Sequence, residues 1–147
     1  MSAEPTIGPS LQPPEHAIAT VRAFLAAMEE RDLVRAASFL SESFSMTFPG
    51  AVQFTRLEEL VRWSTPRYRF VKKRYSRFEQ GVASDGSPGV SVTCFGTLHG
   101  EWPDGSPFHG IRFCDWFLLG ADRKLLAQEV WNDMGLASSN FGRTDPL

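Results

Sequence analysis

Asp115 has the strongest claim to chemistry in this 147-residue chain. It sits in IRFCDWF (residues 111–117), where alternate residues are large and apolar. A carboxylate on the buried face of a strand is expensive unless it is hydrogen-bonded, paired or set against a pocket. Two readings stand. Asp115 is a structural acid accepting hydrogen bonds from Tyr or Trp, or burial raises its pKa and it serves as a general acid or base.

The face follows from the turn before it. PDGSP (103–107) contains Asp104-Gly105, a strong hairpin signal. A two-residue turn there sets Leu98 opposite Ile111, Gly96 opposite Phe113 and Cys94 opposite Asp115. One face then reads Val92, Cys94, Gly96, Leu98, Ile111, Phe113, Asp115 and Phe117, apolar apart from the aspartate. The other reads Thr93, Phe95, Thr97, His99, Arg112, Cys114 and Trp116, mixed as an outer face should be. His109 shares the Asp115 face near the open end, as a rim residue or a proton carrier at the mouth.

The last hairpin admits two registers. A two-residue turn at Ala121-Asp122 places Gln128 beside Asp115 and turns Gln128, Val130, Asn132 and Met134 inward. A three-residue turn, with Gly120 absorbed as a bulge, brings Glu129 beside Asp115, and two adjacent carboxylates cannot both ionise cheaply. The first keeps the buried face apolar and is preferred. Trp63 and Tyr68 flank Pro66 and would roof the cavity, or be plain core. The expected site is therefore Asp115 as catalytic residue, with Gln128, Asn132, His109, Tyr68, Trp63 and Phe113 contacting substrate.

Three helices and five strands must position these groups. Residues 1–13 carry three prolines, at 5, 9 and 13, and read as a disordered arm. A helix begins at Pro14, with Ile18, Val21, Phe24, Leu25 and Met28 on one stripe. Asp32 caps a second, in which Leu33, Ala36, Ala37 and Leu40 face inward. Phe44, Met46 and Phe48 alternate in a short strand stopped by Pro49-Gly50. Thr55 and Glu58 form a capping box for a third helix, 56–64. Strands follow at 68–80, 90–102, 108–119 and 125–134. The domain spans 14–135 and the remainder, 136–147, reads as a tail. The order α-α-β-α-β-β-β-β describes an α+β fold, a curved antiparallel sheet with helices over its concave face. The result is a cone with an open end, a natural ligand cavity.

Composition narrows the function. Aromatic residues are 12% of the chain, with twelve Phe and four Trp, which suits lining a cavity. A net charge of −2 makes no case for nucleic acid or an anionic membrane. The basic run Lys72-Lys73-Arg74, with Arg67, Arg69 and Arg77, alternates with aromatics and reads as a strand with one solvated face. No apolar run reaches the ~18 residues of a membrane span. The N-terminus lacks the pattern of a signal peptide. Cys94 and Cys114 read as reduced thiols of a cytoplasmic protein. The three histidines are scattered, so no metal is expected, and with no phosphate-binding loop no cofactor is either.

Two helices ending in MTFPG, a third helix, then RFCDWF, the charged turn ADRKL and a terminal EVWND resemble the nuclear transport factor 2-like superfamily, and within it the SnoaL-like, polyketide-cyclase-like branch. The resemblance covers about residues 15–134. It implies the cystatin/nuclear transport factor 2-like cone. The superfamily includes ketosteroid isomerases, epoxide hydrolases, polyketide cyclases, dehydratases and non-catalytic binding domains. Its hydrolases and cyclases place a catalytic aspartate on the terminal strand. That slot falls near Val130 here, with Glu129 and Asp133 out of step.

Three functions follow as expectations. The first is an isomerase, dehydratase or cyclase moving a proton on an apolar, oxygenated small molecule. The second is a binding domain with the same pocket and no chemistry. The third is an interaction module. A homodimer through the outer face, with Phe95, Trp116 and Trp131 contributing, accompanies each.

Overall fold

The computed structural model describes residues 14–82, 84–86 and 88–139, so the expected N-terminal arm and the last eight residues lie outside it. In chain order the elements are α1 (Pro14–Glu29), α2 (Leu33–Ala37), β1 (Leu40–Phe48), β2 (Val52–Phe54), α3 (Leu57–Ser64), β3 (Phe70–Gly81), β4 (Val90–Glu101), β5 (Pro107–Leu119), β6 (Leu125–Asn132) and α4 (Met134–Ser139). The strands form one curved, unclosed sheet in the order β2-β1-β6-β5-β4-β3, with helices at the N-terminal end of the chain. The fold is α+β, as the sequence pattern implies. All neighbours are antiparallel except β1 and β6, which run parallel.

Helix α1 buries Ala17, Val21, Phe24, Leu25 and Met28 against the sheet. Asp32 caps α2 by accepting the Arg35 N–H at 3.1 Å. Leu40, expected on that helix, opens β1 instead. The cap of α3 lies one residue later than expected: Arg56 is the N-cap, and its N–H donates to Glu59 Oε1 at 3.2 Å. Pro49-Gly50 stops the first strand at Phe48, as expected. Gly50 and Ala51 both take positive φ and turn the chain back into the short β2. The expected tail begins as α4, because Asn132 Oδ1 accepts the Met134 N–H at 2.9 Å and starts a helix.

Curvature has identifiable causes. Ser76 interrupts the β3–β4 ladder as a bulge between Tyr75 and Arg77. Opposite Tyr75 stands Gly96, where a Cβ would collide with the Arg74 carbonyl oxygen. The bend therefore brings β3 onto β4 more closely than any side chain allows.

Both long hairpins reach the expected faces by an unexpected route. The β4–β5 turn is a three-residue loop, Pro103 to Gly105, closed by Trp102 N–H donating to the Ser106 carbonyl at 2.9 Å. A bulge at His109–Gly110, with Gly110 at φ 72°, inserts one residue and restores the register. Cys94 thus faces Asp115 as expected, and so do the pairs Leu98–Ile111 and Gly96–Phe113. The β5–β6 turn is also a three-residue loop, 121–123, and a bulge at Leu126 again restores parity. Asp115 pairs with Val130, and Gln128 pairs with Phe117. The inward set Gln128, Val130, Asn132 is as expected, but slid by two residues along β5. Glu129 pairs with Trp116, so the two-carboxylate register is excluded.

Candidate functional site

Strands β3 to β6 and helix α3 enclose a cavity of about 210 Å³ between the sheet and the α3–β3 connection. At its depth is Asp115, with no exposed surface. Its partner is Lys73, whose Nζ stands 3.2 Å from Asp115 Oδ2. Lys73 reaches inward because Val71, Lys73 and Tyr75 form the concave-facing stripe of β3, opposite Gly100, Leu98 and Gly96. The Lys73 backbone N–H donates to Glu29 Oε2 at 3.1 Å, which ties the last residue of α1 to this strand. The ammonium also lies 5.2 Å from the centre of the Phe113 ring.

Among the described residues, no well-aligned hydrogen bond reaches either Asp115 oxygen. The buried Gln128 carboxamide approaches the carboxylate without aligning on it. Burial therefore dominates and pushes the Asp115 carboxyl up, against the pull of the Lys73 ammonium and of Gln128. Burial alone would lower Lys73, but the adjacent carboxylate reverses that and holds the ammonium charged through neutral pH. Burial pushes the Cys94 thiol, opposite Asp115, up to about 12 and the Tyr75 phenol to about 12, so neither is a nucleophile at neutral pH.

Six of the seven expected site residues come together here. Asp115, Gln128, Asn132, Tyr68, Trp63 and Phe113 all line the cavity. His109 does not. The bulge that restores the register turns it out of the concave face, and it lies exposed beside Arg74, His99 and Phe108. Asn132 commits its carbonyl oxygen to capping α4. Trp63 packs at 5.6 Å from Phe48 and 5.5 Å from Phe54, so it is both wall and core.

Sequence reasoning missed Lys73 and Arg67, both lining the cavity. The signal for Lys73 was present. In Val71-Lys72-Lys73-Arg74-Tyr75, period-two alternation puts one lysine on the face of Val71 and Tyr75. No group of three or more His, Cys, Asp or Glu that could hold a metal is formed among the described residues. No helix among them is long and apolar enough to cross a membrane.

No family model matches the sequence, and no curated protein does. The shape is matched by solved structures. A nuclear transport factor 2-like protein of unknown function from Burkholderia pseudomallei superposes with a TM-score of 0.71 at 14% identity, over 87% of this chain and 98% of that one. The fold is nuclear transport factor 2-like. TerC co-crystallised with polyporic acid matches at 0.70 and 16% identity, over 84% of this chain and 96% of TerC. A protein described as a candidate SnoaL-like polyketide cyclase from Shewanella denitrificans matches at 0.64 and 11% identity, over 86% and 96%. The resemblance read from MTFPG, RFCDWF and EVWND is thus met at the level of fold, with SnoaL-like proteins among the structural neighbours.

Proposed function

We propose that this domain binds an apolar, oxygenated small molecule in its cone and moves a proton on it, as an isomerase, dehydratase or cyclase. One observation carries the reading: Asp115 is fully buried, lacks a well-aligned hydrogen bond, and faces a mostly apolar cavity beside a charged lysine. A carboxylate raised by burial is a stronger base than one in water, and its pKa moves toward working pH. In this reading Asp115 takes a proton from carbon next to a substrate carbonyl. The Lys73 ammonium offsets the negative charge that develops on oxygen, in a site with little water to screen it. Gln128 and Tyr68 orient substrate oxygens. Structural neighbours described as a polyketide-cyclase candidate and as co-crystallised with polyporic acid support this chemistry by analogy of fold.

The test is carbon-acid exchange. A panel of cyclic ketones and enones is incubated with protein in deuterated water and followed by proton NMR. Deuterium should enter next to the carbonyl of at least one member. Asp115→Asn should slow that exchange by about 100-fold or more while circular dichroism stays unchanged. Panel members that bind without exchanging would replace this reading with a non-catalytic binding domain.

A further inference from the structure

We infer that Arg67 is an anion-binding residue at the cavity mouth, so that the natural ligand carries a carboxylate or an ionised enol or phenol on a largely apolar, ring-bearing body. This rests on the proposed small-molecule cavity and names the class of molecule it takes. Three observations carry it.

The first is the charge balance of the wall. Its charged side chains are Arg67, Lys73 and Asp115. Lys73 and Asp115 compensate each other at 3.2 Å. Arg67 is left without an opposite charge, and among the described residues no carboxylate pairs with it. Its neighbour in sequence contrasts with it: Arg69 lies 3.6 Å from Glu101.

The second is that Arg67 is held in place. Its guanidinium carbon stands 4.0 Å above the centre of the Trp63 ring. Its backbone N–H donates to the Ser64 carbonyl at 2.9 Å, in the tight turn that ends α3. The ring contact uses none of the guanidinium N–H donors for a hydrogen bond, so they are available to grip a carboxylate with two parallel bonds.

The third is the chemistry of the remaining wall. Phe48, Trp63, Tyr68, Trp102 and Phe113 supply ring surface to the same wall. An apolar ring with an anionic group at one end matches that layout: body on the aromatics, anion on Arg67, reacting carbon toward Asp115. A ligand whose anion lay deep would meet the Asp115 carboxylate instead.

The experiment uses 2-naphthoate and 2-naphthamide, equal in shape and different in charge, titrated into the full chain by calorimetry at neutral pH. Wild type should prefer naphthoate by about tenfold or more. In Arg67→Gln that preference should fall to near unity with naphthamide affinity retained, and Arg67→Lys should recover part of it. Equal binding of the two by wild type would overturn the assignment and leave the cavity reading standing. Loss of both ligands in Arg67→Gln would also overturn it, making Arg67 a packing partner of Trp63. A naphthoate preference that survives Arg67→Gln and disappears in Lys73→Met would move the anion to Lys73. Failure of both compounds to bind wild type would overturn this inference and the small-molecule cavity together.

Discussion

Phe117 and Asp115 lie two residues apart on the same face of β5, yet they belong to different worlds. Phe117 has no exposed surface and meets Phe24 of α1 edge to face at 6.2 Å. Phe24 in turn meets Phe44 at 6.1 Å, so at this end α1 fills the cone with rings. At Asp115 the space beyond the side chain is cavity rather than ring. The helix is the difference. It ends at Glu29, whose carboxylate is bound to the Lys73 backbone, and what lies beyond is walled by the α3–β3 connection and α4. One continuous strand thus serves as core where α1 covers it and as site where α1 has ended.

If that division is right, the two ends should answer mutation differently. The largest effect belongs to the closed end. Phe24→Ala removes a ring that touches two others, and should cost about 3–5 kcal/mol in denaturant unfolding without a selective effect on ligand affinity. At the open end, Lys73→Met strands a buried carboxylate and should cost about 3 kcal/mol. Lys73→Met combined with Asp115→Leu should recover most of that loss, because a buried pair is often no better for stability than apolar residues of like size. Failure of the double variant to recover would mean that the open end is held together by its charges, as the closed end is by its rings.

Recognition from sequence divided along the same line. The rings of the closed end were readable because Val21, Phe24 and Met28 repeat at helical spacing, and because Phe113, Asp115 and Phe117 alternate. Parity is robust in this way: each long hairpin carries an enlarged turn and a compensating bulge, so the faces survive although the turns were misjudged. What parity does not carry is position along a strand. Hence Val130, not Gln128, faces Asp115, and His109 is turned away by the bulge at Gly110. Lys73 escaped notice because five other cations surround it in sequence, and charge density reads as solvent. Pairing with Asp115 depends on two strands separated by β4, a distance that local pattern does not encode.

The open end also carries the pH dependence. Folding raises the Asp115 carboxyl through burial, so the folded chain holds that proton more tightly than the unfolded one. The contribution is favourable below the unfolded carboxyl value, about 3.9, and is lost as pH climbs through the raised folded value. Wild type should therefore lose stability relative to Asp115→Asn as pH rises from about 4 through the raised folded value, seen in denaturation midpoints along a pH series. A flat difference would show that the Lys73 ammonium cancels burial, leaving an ordinary salt bridge with no reserve of basicity.

The smallest effect concerns the outer face, which neither end of the cone uses. Trp131 is 62% exposed on β6, beside Cys114 of β5. Phe95 and Trp116 lie half-buried on the same convex side, with Arg77 stacked 3.8 Å from the Phe95 ring. Large aromatics grouped on an outer face are the usual material of a subunit interface, and we propose that two copies associate through it. Sedimentation at tens of micromolar protein, well above a ~1 μM dissociation constant, should then give a dimer. Trp131→Glu should give a monomer, with the unfolding free energy of the monomer itself within about 0.5 kcal/mol of wild type, since an exposed side chain supports little of its own fold. If that variant stayed dimeric, Trp131 would be outside the interface. If wild type were monomeric, the convex face would be no more than tolerated surface, and the contrast that matters in this molecule would lie wholly inside the cone.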